Sequence, residues 1–173
     1  MLDAILFMKA KMFRALLPIA IVFTMISCSS DSSEGSSTEN KLVTTYNYND
    51  TELRIVSLIN DYRASIGLNR LEVINHISYK SQEHNIYMID NAVINHDYFQ
   101  QRSNNLIQVL GAERVGENIA YNYQTAESAM SAWLNSPAHK DNIEGNYTHL
   151  GISVTVDETT GKKYYTNMFI KKK

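Results

Sequence analysis

The chain changes period near its end, and that change limits the folds open to it. In Gly151 to Ile170, Ile152, Val154 and Val156 alternate with Ser153, Thr155 and Asp157. Beyond a turn containing Gly161, Tyr164, Thr166, Met168 and Ile170 alternate with Tyr165, Asn167 and Phe169. A period of two folded back at a glycine is an antiparallel hairpin. Most of the domain upstream reads at helical period. Asp50 or Thr51 caps a run in which Leu53, Val56, Ile59 or Asn60, and Arg63 share a face, and Gly67 ends it. GLNRLEV is a connector that pins Leu68 and Leu71 to the core. A second helix is predicted from Ile77 to Asn91, burying Tyr79, Ile86, Met88 or Ile89, and Val93. A third runs from Ser103 or Asn104 to Gly111. A fourth runs from Thr125 to Asn135, where Pro137 stops it. Helices first and a strand pair last, with a further strand near Asn118–Tyr121, give an α+β layered domain.

The N-terminus carries an export signal. Lys9, Lys11 and Arg14 precede the apolar run Ala15 to Ile26, which is too short for a comfortable membrane span. Ser27 and Cys28 follow, and a small residue before the single cysteine of the chain resembles a bacterial lipoprotein processing site. That resemblance implies cleavage before Cys28, a diacylglyceryl group on its sulfur, and the membrane as a partner. Residues 1–27 are then the signal peptide, and residues 28–47, rich in serine and acids, a flexible tether. Residues 48–173 form one domain. No cysteine follows Cys28, so that domain is held by its core alone. Without residues 1–27 the chain has 13 basic and 17 acidic residues, from 16 and 18 in the whole. This acidic excess excludes a general attraction to nucleic acid. Asn49 and Asn146 head N-glycosylation patterns, which a bacterial lipoprotein does not normally use.

From the end of the second helix onward come NHDYF, GENIA and AMSAWLNSPAHKDNI. The order of these motifs, framed by NDYRASIGLNRLEV and THLGISV, resembles the CAP superfamily (cysteine-rich secretory proteins, antigen 5 and pathogenesis-related proteins), in its bacterial SCP-like extracellular branch. The resemblance covers nearly all of Thr51 to Phe169. It implies a three-layer α-β-α sandwich with the C-terminal hairpin in its sheet. It also implies a cavity displaying His96, Glu117 and His139. Where eukaryotic members carry a second acid, this chain has Ser136. A lipid-anchored, monomeric protein of the cell envelope is expected, at the outer membrane or surface of a Gram-negative bacterium.

Three chemistries fit those residues. His96 and His139, with Glu117 as ligand or behind a ligand, suit a divalent metal such as Zn²⁺, which would keep open, water-filled positions. Alternatively Glu117 orients one histidine as a general base, in a hydrolase acting on envelope or matrix polymers. That reading lacks an identifiable nucleophile. In the third, Glu117 ties its turn to the last helix as part of a structural network, and the domain is a scaffold for a partner protein. A small apolar or envelope ligand is a further expectation, since the wider superfamily binds lipids and sterols. His76 reads as a capping or surface residue, His84 as solvated, His149 as the opening of a strand, Asn142 as a loop fastener and Trp133 as core.

Overall fold

The computed structural model describes residues 41–173; the expected export signal, Cys28 and the first part of the tether lie outside the described residues. Helices α1 (Asp50–Ser65), α2 (Asn75–Asp90), α3 (Phe99–Leu110), α4 (Ala126–Leu134) and α5 (Pro137–Ile143) surround four strands. These are β1 (Glu72–Val73), β2 (Ala112–Tyr121), β3 (His149–Val156) and β4 (Lys163–Lys172). The sheet order is β1-β3-β4-β2, antiparallel except for the short parallel pairing of β1 with β3. Alternation along the strands sends Leu150, Ile152, Tyr165 and Phe169 to one face, where they meet Ile55 and Ile59 of α1, Trp133 of α4 and Ile143 of α5. Met168 and Ile170 go to the other face, against Ile77 of α2 and Leu106 of α3. The result is the expected three-layer α-β-α sandwich with the hairpin at its centre.

Local chemistry fixes the helix boundaries. Asn49 and Glu52 form a reciprocal capping box on α1, so the cap falls one residue before the position expected. Ile55 rather than Leu53 is buried on that helix. Pro137, expected only to stop α4, also starts α5: proline lacks the N–H that a first helical residue leaves unbonded. Helix α3 begins at Phe99, a turn earlier than expected.

Helix α2 faces the sheet with Ser78, Ser81 and Asn85, all buried, whereas Ile86 is exposed. Gly151 explains this. A side chain there would strike the backbone of Ser78 and the side chain of Ile77, so the helix lies directly on β3. Only small polar groups fit between, and they bond across: Asn85 Nδ2 to Ser153 O at 2.9 Å, Thr166 Oγ1 to Asn85 Oδ1 at 2.7 Å. His76 and His84 are buried on this helix, so the surface and solvated positions expected for them do not hold. His76 Nδ1 accepts from Val43 N at 3.1 Å while Nε2 faces Asn105 Oδ1 at 2.7 Å.

Residues 43–46, read from the sequence as tether, are held against the domain. Asn75 Nδ2 donates to Thr44 O at 2.7 Å, and the Tyr46 hydroxyl reaches Glu52 Oε1 at 2.9 Å and Ser153 Oγ at 3.0 Å. Side chains from the start of α1 and from α2 complete β3: Val154 N donates to Glu52 Oε1 at 2.7 Å, Asn49 Nδ2 to Val154 O at 3.2 Å, and Ile152 N to Ser78 Oγ at 3.1 Å. On the far side of the sheet, Trp133 Nε1 donates to Ile119 O of β2 at 2.8 Å. Among the described residues, no helix is long and apolar enough to cross a membrane.

Candidate functional site

Two of the three residues singled out from the sequence, His96 and Glu117, are in direct contact beside β2, and the third, His139, lies on α5 within electrostatic reach of His96. Glu117 and Asn118 are neighbours on that strand, so their side chains leave it in opposite directions. Asn118 Nδ2 reaches His139 O on α5 at 2.9 Å. Glu117 turns toward α3 and the loop that follows α2. Asn142 fastens the junction, donating to Glu117 O at 3.2 Å and to Asn118 Oδ1 at 2.9 Å. The preceding Gly116 has no room for a side chain, because a Cβ would stand 2.5 Å from the Tyr147 hydroxyl and 2.8 Å from Asn142 Oδ1.

Glu117 is buried and fully engaged. Arg102 of α3 grips both of its oxygens, Nε to Oε2 and Nη2 to Oε1, each at 2.8 Å. His96 Nδ1 lies 2.8 Å from Oε1. Arg102 was not singled out from the sequence. The third helix expected from the sequence begins after it, at Ser103 or Asn104, which places Arg102 in a loop. The guanidinium also holds the histidine loop, donating from Nη1 to Asp97 O at 2.7 Å. Desolvation presses the Arg102 guanidinium below its usual range, and the Glu117 charge works against that.

This arrangement determines which nitrogen of His96 is available. A carboxylate already gripped by a guanidinium is an acceptor, so Nδ1 of His96 carries a hydrogen toward Glu117 and Nε2 stays out of that bond. The His96 side chain is 50% exposed. Burial lowers the His139 imidazole below the ordinary histidine range, and His96 is near enough to lower it further by like-charge repulsion. His139 is therefore neutral near pH 7. Ser136, at the position of the second acid, is the N-cap residue of α5 and makes no side-chain capping bond.

The donor set can be tested against a metal. Both oxygens of Glu117 are taken, so it orients a ligand rather than being one. That leaves two imidazoles, His96 through Nε2 and His139. Among the described residues no group of three or more histidine, cysteine, aspartate or glutamate side chains is placed to hold an ion. A carboxylate behind a histidine is the usual support of a metal-binding imidazole, and it fits here. A cation would rest on two protein nitrogens with water in its other positions. His84 lies within electrostatic reach of Arg102, Glu117 and His96, but its Nε2 is bonded to Asn95 O at 2.8 Å; His149 Nδ1 pairs with Thr148 Oγ1 at 2.7 Å.

Comparison with known proteins follows the same segment. The model of the cysteine-rich secretory protein family matches residues 56–169. "Uncharacterized membrane protein YlbC" of Bacillus subtilis is 33% identical over 126 residues, which cover 70% of this chain and 35% of that protein. "Uncharacterized protein YkwD" of the same organism is 30% identical over 58% of this chain. This chain thus spans 35% and 41% of the lengths of these two relatives. Among solved structures, an extracellular protein containing an SCP domain from Bacillus anthracis superposes with a TM-score of 0.61 at 26% identity, covering 74% of this chain and 45% of that one. An outer surface protein from Borrelia burgdorferi shares the fold, with a TM-score of 0.65 at 23% identity over 76% of this chain and all of its own.

Proposed function

This chain belongs to the cysteine-rich secretory protein family, and on that premise we propose that it is an envelope-anchored, extracytoplasmic binding domain. Its ligand is a divalent cation of the zinc type, held by His96 Nε2 and His139. Cys28 is its lipid anchor, as Ser27-Cys28 and the extracellular or outer-surface descriptions of the relatives support. The observation that carries the cation reading is the hydrogen bond between Glu117 Oε1 and His96 Nδ1, on a carboxylate that Arg102 grips through both oxygens. It orients the ring and leaves Nε2 out of that bond, as a Lewis base when the imidazole is neutral.

A bound cation would supply Lewis acidity; the chain itself supplies the oriented imidazole, the neutral His139 and the buried ion pair beneath them. The same oriented imidazole would serve a hydrolase of envelope or matrix polymers, with Nε2 accepting a proton. Binding is the more economical reading because it needs no nucleophile. The test is calorimetric titration of the full chain with Zn²⁺ beside a His96→Ala/His139→Ala variant. One-to-one saturable binding that the double substitution removes, with the circular dichroism spectrum intact, supports the cation site. Equal heats in the two proteins refute it.

A further inference from the structure

Helices α2 and α3 lie on the same face of the sheet without closing on each other, and a groove of about 770 Å³ runs between them. That volume falls within the ~300–1,000 Å³ of small-molecule sites. We propose that this groove binds a short stretch of neutral glycan, independently of His96 and His139.

The first observation is Tyr98. Its backbone sits in the left-handed region at φ 59°, where a residue with a side chain is strained and glycine or asparagine is at ease. It is the N-cap residue of α3 yet makes no side-chain cap, so nothing in the helix requires a tyrosine there. The ring is 57% exposed at the groove and stands edge-on to Tyr87, with centroids 5.1 Å apart and planes at 89°. A strained backbone that keeps an aromatic ring in the open is a cost to folding, and that points to a ligand.

The second observation is the character of the walls. Tyr79 and Tyr98 present their rings to the groove, Tyr87 backs them with its ring stacked on His84 and its hydroxyl given to Asp97, and Gln101, Asn104 and Gln108 offer amides. The charges in the groove are already compensated. Lys80 pairs with Glu83 at 2.7 Å, and Arg102 is spent on Glu117. What remains is uncharged, rich in donors and acceptors, and lined by flat apolar faces. A sugar ring matches it, having a face of C–H groups for the tyrosines and a rim of hydroxyls for the amides. A phosphate, a sulfated polymer or an acidic peptide would meet no free cation. An acyl chain would bury the amides without partners.

The experiment is calorimetric titration of the full chain with β-1,4-linked tetrasaccharides of glucose and of N-acetylglucosamine, beside a sulfated heparin tetrasaccharide. The expected result is one-to-one binding of at least one neutral tetrasaccharide. Tyr98→Asn should weaken it at least tenfold while the Tm stays level or rises, because asparagine relieves the backbone. Gln101→Ala, on an exposed helix position, gives a second reading that does not depend on the strained residue and should weaken binding too. The His96→Ala/His139→Ala variant should bind the sugar as the unaltered chain does. The proposal is overturned if no neutral tetrasaccharide binds at millimolar concentration, or if only the sulfated one does. It is equally overturned if neither groove substitution matters, or if the histidine variant loses the sugar.

Discussion

Replacing Arg102 by leucine removes the guanidinium from a carboxylate that is only 2% exposed. Glu117 then keeps His96 as a partner on Oε1, but Oε2 loses the Arg102 Nε donor and Asp97 O loses its bond to Nη1. Truncating one member of a buried pair costs about 3–5 kcal/mol, because the other charge stays buried without compensation. At a urea m-value of about 1.5 kcal/mol/M, that lowers the unfolding midpoint by roughly 2–3 M. Trp133 is the only tryptophan and is buried beside β2, so its fluorescence reports the transition. The charge-free double variant Arg102→Leu/Glu117→Leu should regain at least ~2 kcal/mol over Arg102→Leu, since removing both charges also removes the desolvation penalty. A loss below ~1 kcal/mol in the single variant would put the pair in the range of exposed ion pairs. The site would then not be the buried lock described above.

Two further predictions concern the fold. His76, His84, His139 and His149 are all lowered by burial, so the folded chain keeps them neutral while the unfolded chain takes up protons from about pH 6.5 downward. Stability is therefore complete above that pH and falls as the pH drops through 6.5 toward the folded values; a Tm that is flat between pH 7.5 and 5.5 would contradict this. Burial raises the Glu52 carboxyl, which acts with the opposite sign, so a His76→Gln variant isolates the histidine part and should show a shallower slope. Gly151→Ala forces a methyl group into the contact between β3 and α2 and should cost ~1–3 kcal/mol or more, read as a lowered Tm. An unchanged Tm would mean that α2 can slide off the strand without loss.

Where periodicity alone decides structure, the sequence was a sound guide: the hairpin, α1, and the capped α4 lie close to where the pattern puts them. The layering came from the motifs that resemble a family, not from period. Elements set by tertiary contact were not legible. β1 exists because Glu72 and Val73 meet His149 and Leu150 in parallel register, and two residues carry no pattern of their own. On α2 Met88 is buried as expected but Ile86 is not, because a helix pressed onto a glycine buries small polar groups beside Ile77 and Met88. His76 and His84 were misplaced for the same reason. Around the candidate site, His96, Glu117 and His139 were visible as motif residues. Arg102 was not, since its partner lies on a strand fifteen positions away. Arg63 was read as one member of a buried face, but its role was not. It is a buried cation whose donors go to the oxygens of Asn69, Ile143 and Gly145, tying α1 to the end of α5.

The outer backbone of β3 beyond β1 is occupied by side chains, with Glu52 and Asn49 on Val154 and Ser78 on Ile152. β2 is treated similarly, with Asn142 on Glu117 O and Trp133 on Ile119 O. A strand so occupied offers no template to a neighbouring molecule. The protection is unevenly placed. On β3 two of the three groups come from the first residues of the domain, so a shortened chain beginning at Leu53 would keep most of its core and yet self-associate strand to strand.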